Sequence, residues 1–313
     1  MNRTFLLIDG NNLAFRCFYG VTHLSNPNGM PVNAIYGFIH SLWMLEEQVP
    51  SAIGIVCFDH GRSEKRLQLL QDYKANRSPT PEAFKVQMLY IQEVVPFLGM
   101  LCCKGCDVEA DDWIGSWSNF AVQSHDQAVI ASADKDMMQC VNARVRQMIP
   151  TAQGWSSLDE QGVFKKMGVY PHQIVDYLSL IGDYADHYGG IPGVGPKTAA
   201  RWLNDYGSLE KILQHTATLQ PERFRSILEQ SRVLLQRNQQ LAMLDGSQDR
   251  IEPMIPQLDR LQPNPKALEK LLRELHLEKL LRKWQERRDQ KPQQAELFSV
   301  LKKQDPTTNE DAP

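Results

Sequence analysis

The chain of 313 residues is informative first for what it lacks. No apolar run approaches the roughly 20 residues that a membrane-spanning helix needs, which excludes a helical integral membrane protein. The first apolar stretch, Phe5 to Ile8, stops at Asp9 and is too short for the core of a secretory signal peptide, so a cytoplasmic protein is expected. Positive charge is not in excess: 34 Lys and Arg stand against 37 Asp and Glu, a net charge of −3. Bulk charge therefore does not mark a nucleic-acid binder, which is usually basic. No internal repeat is present, which excludes a solenoid. The six cysteines do not form two metal-ligand pairs. Cys103-x-x-Cys106 is compatible with a redox pair or half a zinc site, and free thiols in a reducing compartment are the simpler reading.

What is present is order. Thr4–Asp9 (TFLLID), Ala52–Asp59 (AIGIVCFD) and Ala128–Asp134 (AVIASAD) are short apolar runs that each close on an acid. Continuous apolar runs of this length read as strands buried on both faces. Asn33–Glu47 between them has helical periodicity. Strands alternating with helices predict an α/β fold around a mostly parallel sheet. Ligand sites in such sheets lie beyond the carboxyl ends of the strands, where Asp9, Asp59 and Asp134 are expected. Three like charges at one edge repel unless a cation joins them.

Further acids follow. Glu109-Ala110-Asp111-Asp112 opens an amphipathic stretch, Trp113–Ala121. Acids in the first turn of a helix also serve as caps, but a cap needs one acid and this string has three. Asp134 and Asp136 lie two apart; Asp183 and Asp186 lie three apart, a spacing that would put both on one face of a helical turn. No histidine or cysteine accompanies these nine carboxylates at regular spacing. An all-oxygen ligand set suits Mg²⁺ or Mn²⁺ rather than zinc. Such a set can hold two ions about 4 Å apart, the arrangement used in phosphodiester cleavage.

Residues 60–85 break the strand pattern and carry Arg62, Lys65, Arg66, Lys74, Arg77 and Lys85 against Glu64, Asp72 and Glu82. They are expected to form an inserted, partly helical, basic element over the site. Lys74 and Arg77 are three apart and would share a helix face, supplying cations to a phosphoryl transition state. Downstream, the chain becomes mostly helical from about Gly182. The string Ile191-Pro192-Gly193-Val194-Gly195-Pro196-Lys197-Thr198 precedes a helical run, Ala199–Tyr206. It reads as a helix-hairpin-helix: Gly193 and Gly195 let backbone approach a phosphate on either side of Val194, and the helix start with Lys197 and Thr198 can bind it. Such a motif grips nucleic-acid backbone without reading sequence.

Taken together and in this order, the strings IDGNN, CFD, YKANR, VEADD, ASADKDMMQ, GDYAD and IPGVGPKTA resemble the 5′-nuclease domain of bacterial DNA polymerase I and its stand-alone relatives, the flap endonucleases, over about residues 4–285. The resemblance implies a PIN-like nuclease domain with a helical arch at about 60–85 within residues 1–181, a helical helix-hairpin-helix domain over 182–290, and a disordered tail over 291–313. It implies a Mg²⁺-dependent 5′→3′ exonuclease and flap endonuclease, with Mn²⁺ as a substitute, that acts as a monomer on branched, nicked or flapped DNA in primer removal or repair. Asp9, Asp59, Glu109, Asp111 and Asp112 would form the tighter metal site, and Asp134, Asp136, Asp183 and Asp186 the second. Lys74 and Arg77 match basic residues that act on the scissile phosphate, and Arg66 an arginine of the arch. Tyr36 and Tyr73 fall where aromatics stack on bases or line the site, with core packing an equal alternative. The hairpin of such proteins also holds a monovalent cation, typically K⁺.

Several positions depart from that pattern. Ala133 stands where glycine is usual, and His187 where asparagine is. Tyr184 and Ala185 replace small hydroxyl residues, and Tyr188-Gly189-Gly190 replaces an apolar, proline-containing stretch. No carboxylate is lost, so activity is expected, with the affinity of the second metal site open to change. In the tail, Gln294-Ala295-Glu296-Leu297-Phe298 looks like the short peptide that docks on bacterial sliding clamps; a last turn of helix packed on the body is the alternative. Two rivals stand beside the DNA nuclease: an RNase of related type that removes RNA primers, and a non-catalytic junction binder. A pure binder gains nothing from concentrated negative charge near phosphates.

Overall fold

A computed structural model describes residues 2–289. The expected tail, with Gln294, Leu297 and Phe298, lies outside the described residues. Among the described residues no helix is long and apolar enough to cross a membrane.

A six-stranded sheet organises the first half of the chain, in the order β3-β2-β1-β4-β5-β6. The three strands expected from their apolar runs form its centre: β1 (Thr4–Asp9), β2 (Ile53–Cys57) and β4 (Gln127–Ala131). Three more were not evident in the sequence: β3 (Leu101–Cys103), β5 (Val145–Thr151) and β6 (Gly154–Leu158). The first is too short to show a period, and the last two mix polar residues into edge positions. Pairing is parallel except between β5 and β6. Alternation along β1 sends Leu6 and Ile8 to one face and Phe5 and Leu7 to the other, as a strand buried on both sides requires.

One face is covered by α1 (Gly10–Gly20), α2 (Asn33–Gln48), α4 (Glu82–Phe97) and α12 (Pro265–Glu274), with the helix over 278–289; α3 (Glu64–Leu69) lies outside that layer. Trp43 of α2 stacks on Trp284 at 6.2 Å between centroids, and Arg287 reaches Glu46 and Glu47. The other face is covered by α5 (Ala110–Gln123), whose Trp117 is fully buried, and by residues around Ile251 and Leu258. Truncating a buried tryptophan of this kind costs ~3–5 kcal/mol.

A second core joins α6 (Glu160–Met167), α7 (Ile174–Ile181), α8 (Pro196–Tyr206), α9 (Leu209–Gln214), α10 (Arg225–Gln230) and α11 (Arg232–Ala242) around Trp202 and Leu178. Between α7 and α8 the chain makes a two-stranded hairpin, β7 (Gly182–Asp183) and β8 (Tyr188–Gly189). Glycine is required at Gly190, where an added Cβ would run into the backbone of Leu180 and Ile181. The Asn238 side chain on α11 pins the hairpin by donating to Ser179 O (3.1 Å) and Gly189 O (2.9 Å).

Two local expectations are corrected. Asp183 and Asp186 do not share a helical turn; Asp183 ends β7 and Asp186 lies within the β7–β8 turn. Lys74 and Arg77 do not lie on a helix either: the chain from 71 to 77 is a run of turns in which Lys74 takes φ +56°. Gly207 follows α8, and Tyr73–Lys74–Ala75 lie between α3 and α4, so the basic element is helical only at its ends.

Candidate metal and phosphate site

The carboxyl ends of the parallel strands deliver acids to one edge. Asp9 is the last residue of β1 and the cap of α1: its carboxylate accepts from Asn12 N (3.0 Å) and from Ser132 Oγ (2.9 Å). Asp59, just past β2, accepts from Ala110 N at the start of α5 (2.7 Å). Asp111 sits in the first turn of α5. Asp134, past β4, accepts from Asp136 N (2.9 Å). Asp9, Asp59, Asp111 and Asp134 line one cavity of 1080 Å³, together with Lys74 and Arg77. Asp183 is bound by Lys135 (3.0 Å) and Asp186 by Arg77 (3.1 Å). Asp136 is buried, and its Oδ1 has no hydrogen-bond partner.

This crowding is electrostatically unfavourable. Burial, with Asp59 and Asp134 nearby, raises the Asp9 carboxyl to about 7 against the hydrogen bonds that oppose it. Burial raises Asp111 well above its usual range, and Asp134, Asp9 and Asp59 add to that. Asp136 is raised likewise by burial and by Asp134, Asp183 and Asp186. Burial also raises Asp134, with Asp186 and Asp183 reinforcing it. Two sets of mutually repelling acids therefore meet at Asp134. Among the described residues, no three acid, histidine or cysteine side chains are already closed into a metal cage. The oxygen-only donors, the orphaned Asp136 Oδ1 and the raised carboxyls all fit cations of high charge density, which would relieve the repulsion.

The basic residues divide. Lys74 is buried, and its Nζ lies 2.9 Å from Glu109 Oε2 and 3.8 Å from Asp186 Oδ1. Burial opposes its charge, but Asp186, Glu109 and Asp111 outweigh that and hold it protonated. Arg77 is half-exposed on the cavity wall. Arg66 is different: it is buried, bonds Glu109 Oε2 (2.7 Å), grips both oxygens of Asp112 (3.0 and 2.8 Å), and donates to the carbonyls of Leu241 (3.3 Å) and Met243 (3.2 Å). Glu109 is held low because Lys74 and Arg66 overcome the burial that would raise it. Arg66 and Asp112 thus face a separate cleft of 440 Å³ and not the cavity of the four aspartates. Tyr73 is buried and donates to Glu109 (3.1 Å) and Asp186 (2.9 Å). Tyr36 lines the cavity and stacks on His40 at 6.2 Å.

At the hairpin before α8, Gly193 takes φ +79°, Val194 is buried, and Gly195 has open space where a Cβ would stand. Lys197 is exposed. Three residues of the edge were missed in the sequence. Lys135 pairs with Asp183, Ser132 holds Asp9, and Asn11 accepts from Asp59 N (3.2 Å). Their only signal was adjacency to the acidic strings. All six cysteines are free, with Cys103 buried and Cys106 exposed.

A six-stranded α/β sheet with an acidic carboxyl edge, followed by a helical hairpin region, is the build of the 5′→3′ nucleases. The chain belongs to that family: residues 4–168 match the 5'-3' exonuclease N-terminal resolvase-like domain and residues 169–266 the 5'-3' exonuclease C-terminal SAM fold. It is 34% identical over 280 residues to a 5'-3' exonuclease of Aquifex aeolicus, covering 90% of this chain and 94% of that protein. It is 33% identical over 250 residues to DNA polymerase I of Lactococcus lactis, covering 77% of this chain but 28% of that protein. In fold it is similar to the bacteriophage T5 flap endonuclease solved with DNA and metal ions, with a TM-score of 0.67 and 22% identity over 86% of this chain and 99% of that one. The expectation of a 5′→3′ exonuclease and flap endonuclease fold and family is borne out.

Proposed function

We propose that the chain hydrolyses DNA phosphodiester bonds at flaps, nicks and branches through a pair of Mg²⁺ ions, with Mn²⁺ as a substitute. The reading rests on one observation above all: Asp9, Asp59, Asp111 and Asp134 line a single cavity together with Lys74 and Arg77. These four would hold one ion, with Glu109 close by, and Asp134, Asp136, Asp183 and Asp186 the other. When bound, the ions activate a water and stabilise the leaving oxygen. Lys74, kept charged by Glu109 and Asp186, and Arg77, half-exposed beside it, bind the scissile phosphate and offset charge that develops on it. Tyr73 holds Glu109 and Asp186 in place through its hydroxyl. Arg66 and Asp112 serve one step back, as an ion pair that fixes Glu109.

Tyr36 lines the path of the strand into the site. The loop from Gly193 to Gly195 and the start of α8, with Lys197 and Thr198, grip the duplex backbone away from the cut; carbonyls of the same loop suit K⁺. We place the protein in the cytoplasm as a monomer, with docking on a sliding clamp through Gln294, Leu297 and Phe298. The test is cleavage of a 5′-labelled flap in Mg²⁺, with Asp134→Ala in parallel. Cuts near the junction that vanish in the variant support the reading. Tight binding without cutting in Mg²⁺ or Mn²⁺ would replace it with a junction-binding protein.

A further inference from the structure

Tyr184 is the most exposed large apolar side chain among the described residues, at 88% of its surface. Its position is unusual for such a ring. Asp183, the last residue of β7, directly precedes it, and Asp186 lies in the same β7–β8 turn; both are carboxylates of the acid edge. Each of these is clamped by a cation that keeps part of its own surface open: Lys135 on Asp183 at 3.0 Å and Arg77 on Asp186 at 3.1 Å. Tyr184 therefore directly follows one ion-paired carboxylate of the acid edge and lies two residues before another.

The turn is also rigidly mounted. Ala185 N donates to Asp183 Oδ1 (2.8 Å), Asn76 Nδ2 donates to Tyr184 O (2.6 Å), and Lys74 N donates to Asp186 O (3.2 Å). The His187 ring makes a fourth link, Nδ1 to Asp72 O at 2.9 Å. The backbone under Tyr184 is thus tied to the same segment that supplies Lys74 and Arg77. A ring on a fixed backbone has only two side-chain torsions to settle when it binds. Among the described residues nothing covers it, and a flat exposed ring suits an unpaired base, with the partly exposed Lys135 and Arg77 on the two neighbouring carboxylates. Base-on-aromatic stacking beside basic groups is how single strands are held without sequence preference.

We infer that Tyr184 is a stacking platform for an unpaired base of the DNA strand entering the acid edge, and that it tunes the preference for substrates with an unpaired nucleotide beside the cut. The inference rests on the proposed DNA nuclease function but concerns binding, so the two can fail separately.

The test uses the full chain in Ca²⁺, a hard cation that also takes oxygen ligands. The probe is a 5′-flap duplex with 2-aminopurine at the unpaired nucleotide next to the junction; a nicked duplex without unpaired nucleotides is the control. The native protein and Tyr184→Phe should quench the fluorescence on binding. Tyr184→Ala should lose the quenching and bind the flap roughly 5- to 100-fold more weakly, the range that stacking one base supplies, with nick binding unchanged. Because the side chain is exposed, the variant should keep the native melting temperature. Unchanged quenching in Tyr184→Ala, no quenching by the native protein, or an equal loss on flap and nick would overturn the inference. Failure of the native protein to cut any DNA in Mg²⁺ would instead sink the nuclease proposal and leave the stacking result to stand on its own.

Discussion

Replacing Asp9 with asparagine should stabilise the metal-free protein while removing its activity. Asp9 is buried, and its folded carboxyl is raised from 3.8 to about 7 by burial and by Asp59 and Asp134. That rise corresponds to ~4 kcal/mol of penalty on the charged form, and this is a ceiling because the repulsion is shared among several acids. The sign follows from proton binding. Between about pH 4 and 7 the folded state holds more protons at Asp9 than the unfolded chain does, so stability falls as pH rises through that window and stays low above it. Asparagine removes the charge and keeps the acceptor for Asn12 N. Its amide would donate to Ser132 Oγ, which already accepts from Asp134 N at 3.1 Å; turning the serine hydroxyl away costs about 1 kcal/mol. A net gain of roughly 1–3 kcal/mol remains at pH 8, a few degrees in melting temperature. Thermal melts in EDTA from pH 4.5 to 8.5 would measure it. The native protein should lose stability across that range, Asp9→Asn should lose less, and Mn²⁺ should raise the melting temperature of the native protein more than that of the variant. A native profile flat from pH 5 to 8, or an Asp9→Asn protein less stable than native at pH 8, would refute the electrostatic account of this edge.

Other perturbations separate the parts of the site. Lys74→Ala should lower kcat on a flap by roughly 10²–10³-fold with a smaller change in KM; an equal loss in binding would mean that Lys74 only anchors Glu109. Arg66→Ala leaves Asp112 buried without its cation and Glu109 with Lys74 alone, and should destabilise the fold by ~3–5 kcal/mol, read by denaturant unfolding; a change under 1 kcal/mol would show that the cleft beside it admits water or ions to replace the guanidinium. Gly190→Ala should unseat the β7–β8 turn and reduce activity, because its Cβ would overlap the Leu180 and Ile181 backbone, whereas Gly189→Ala has open space and should be close to neutral in melts and cleavage assays.

The sequence alone determined the central strands and the edge they serve. Runs such as TFLLID are apolar throughout because a strand buried on both faces has no polar side, and an acid closing each run must emerge at the carboxyl edge. That logic located Asp9, Asp59 and Asp134 without a structure. Only the tertiary structure decided how charge is distributed beyond them. Arg66 lies in the same basic stretch as Lys74 and Arg77, yet it turns inward because Asp112 and the carbonyls of Leu241 and Met243, distant in sequence, meet it there. The spacing of Asp183 and Asp186 suggested a helix, but Gly182 at φ +77° and the close approach of Gly190 to α7 force a hairpin. Spacing reports local periodicity; which partner a charge finds depends on segments brought together by the packing of α11 on α7 and α3 and of α5 on the sheet, and no local pattern encodes that.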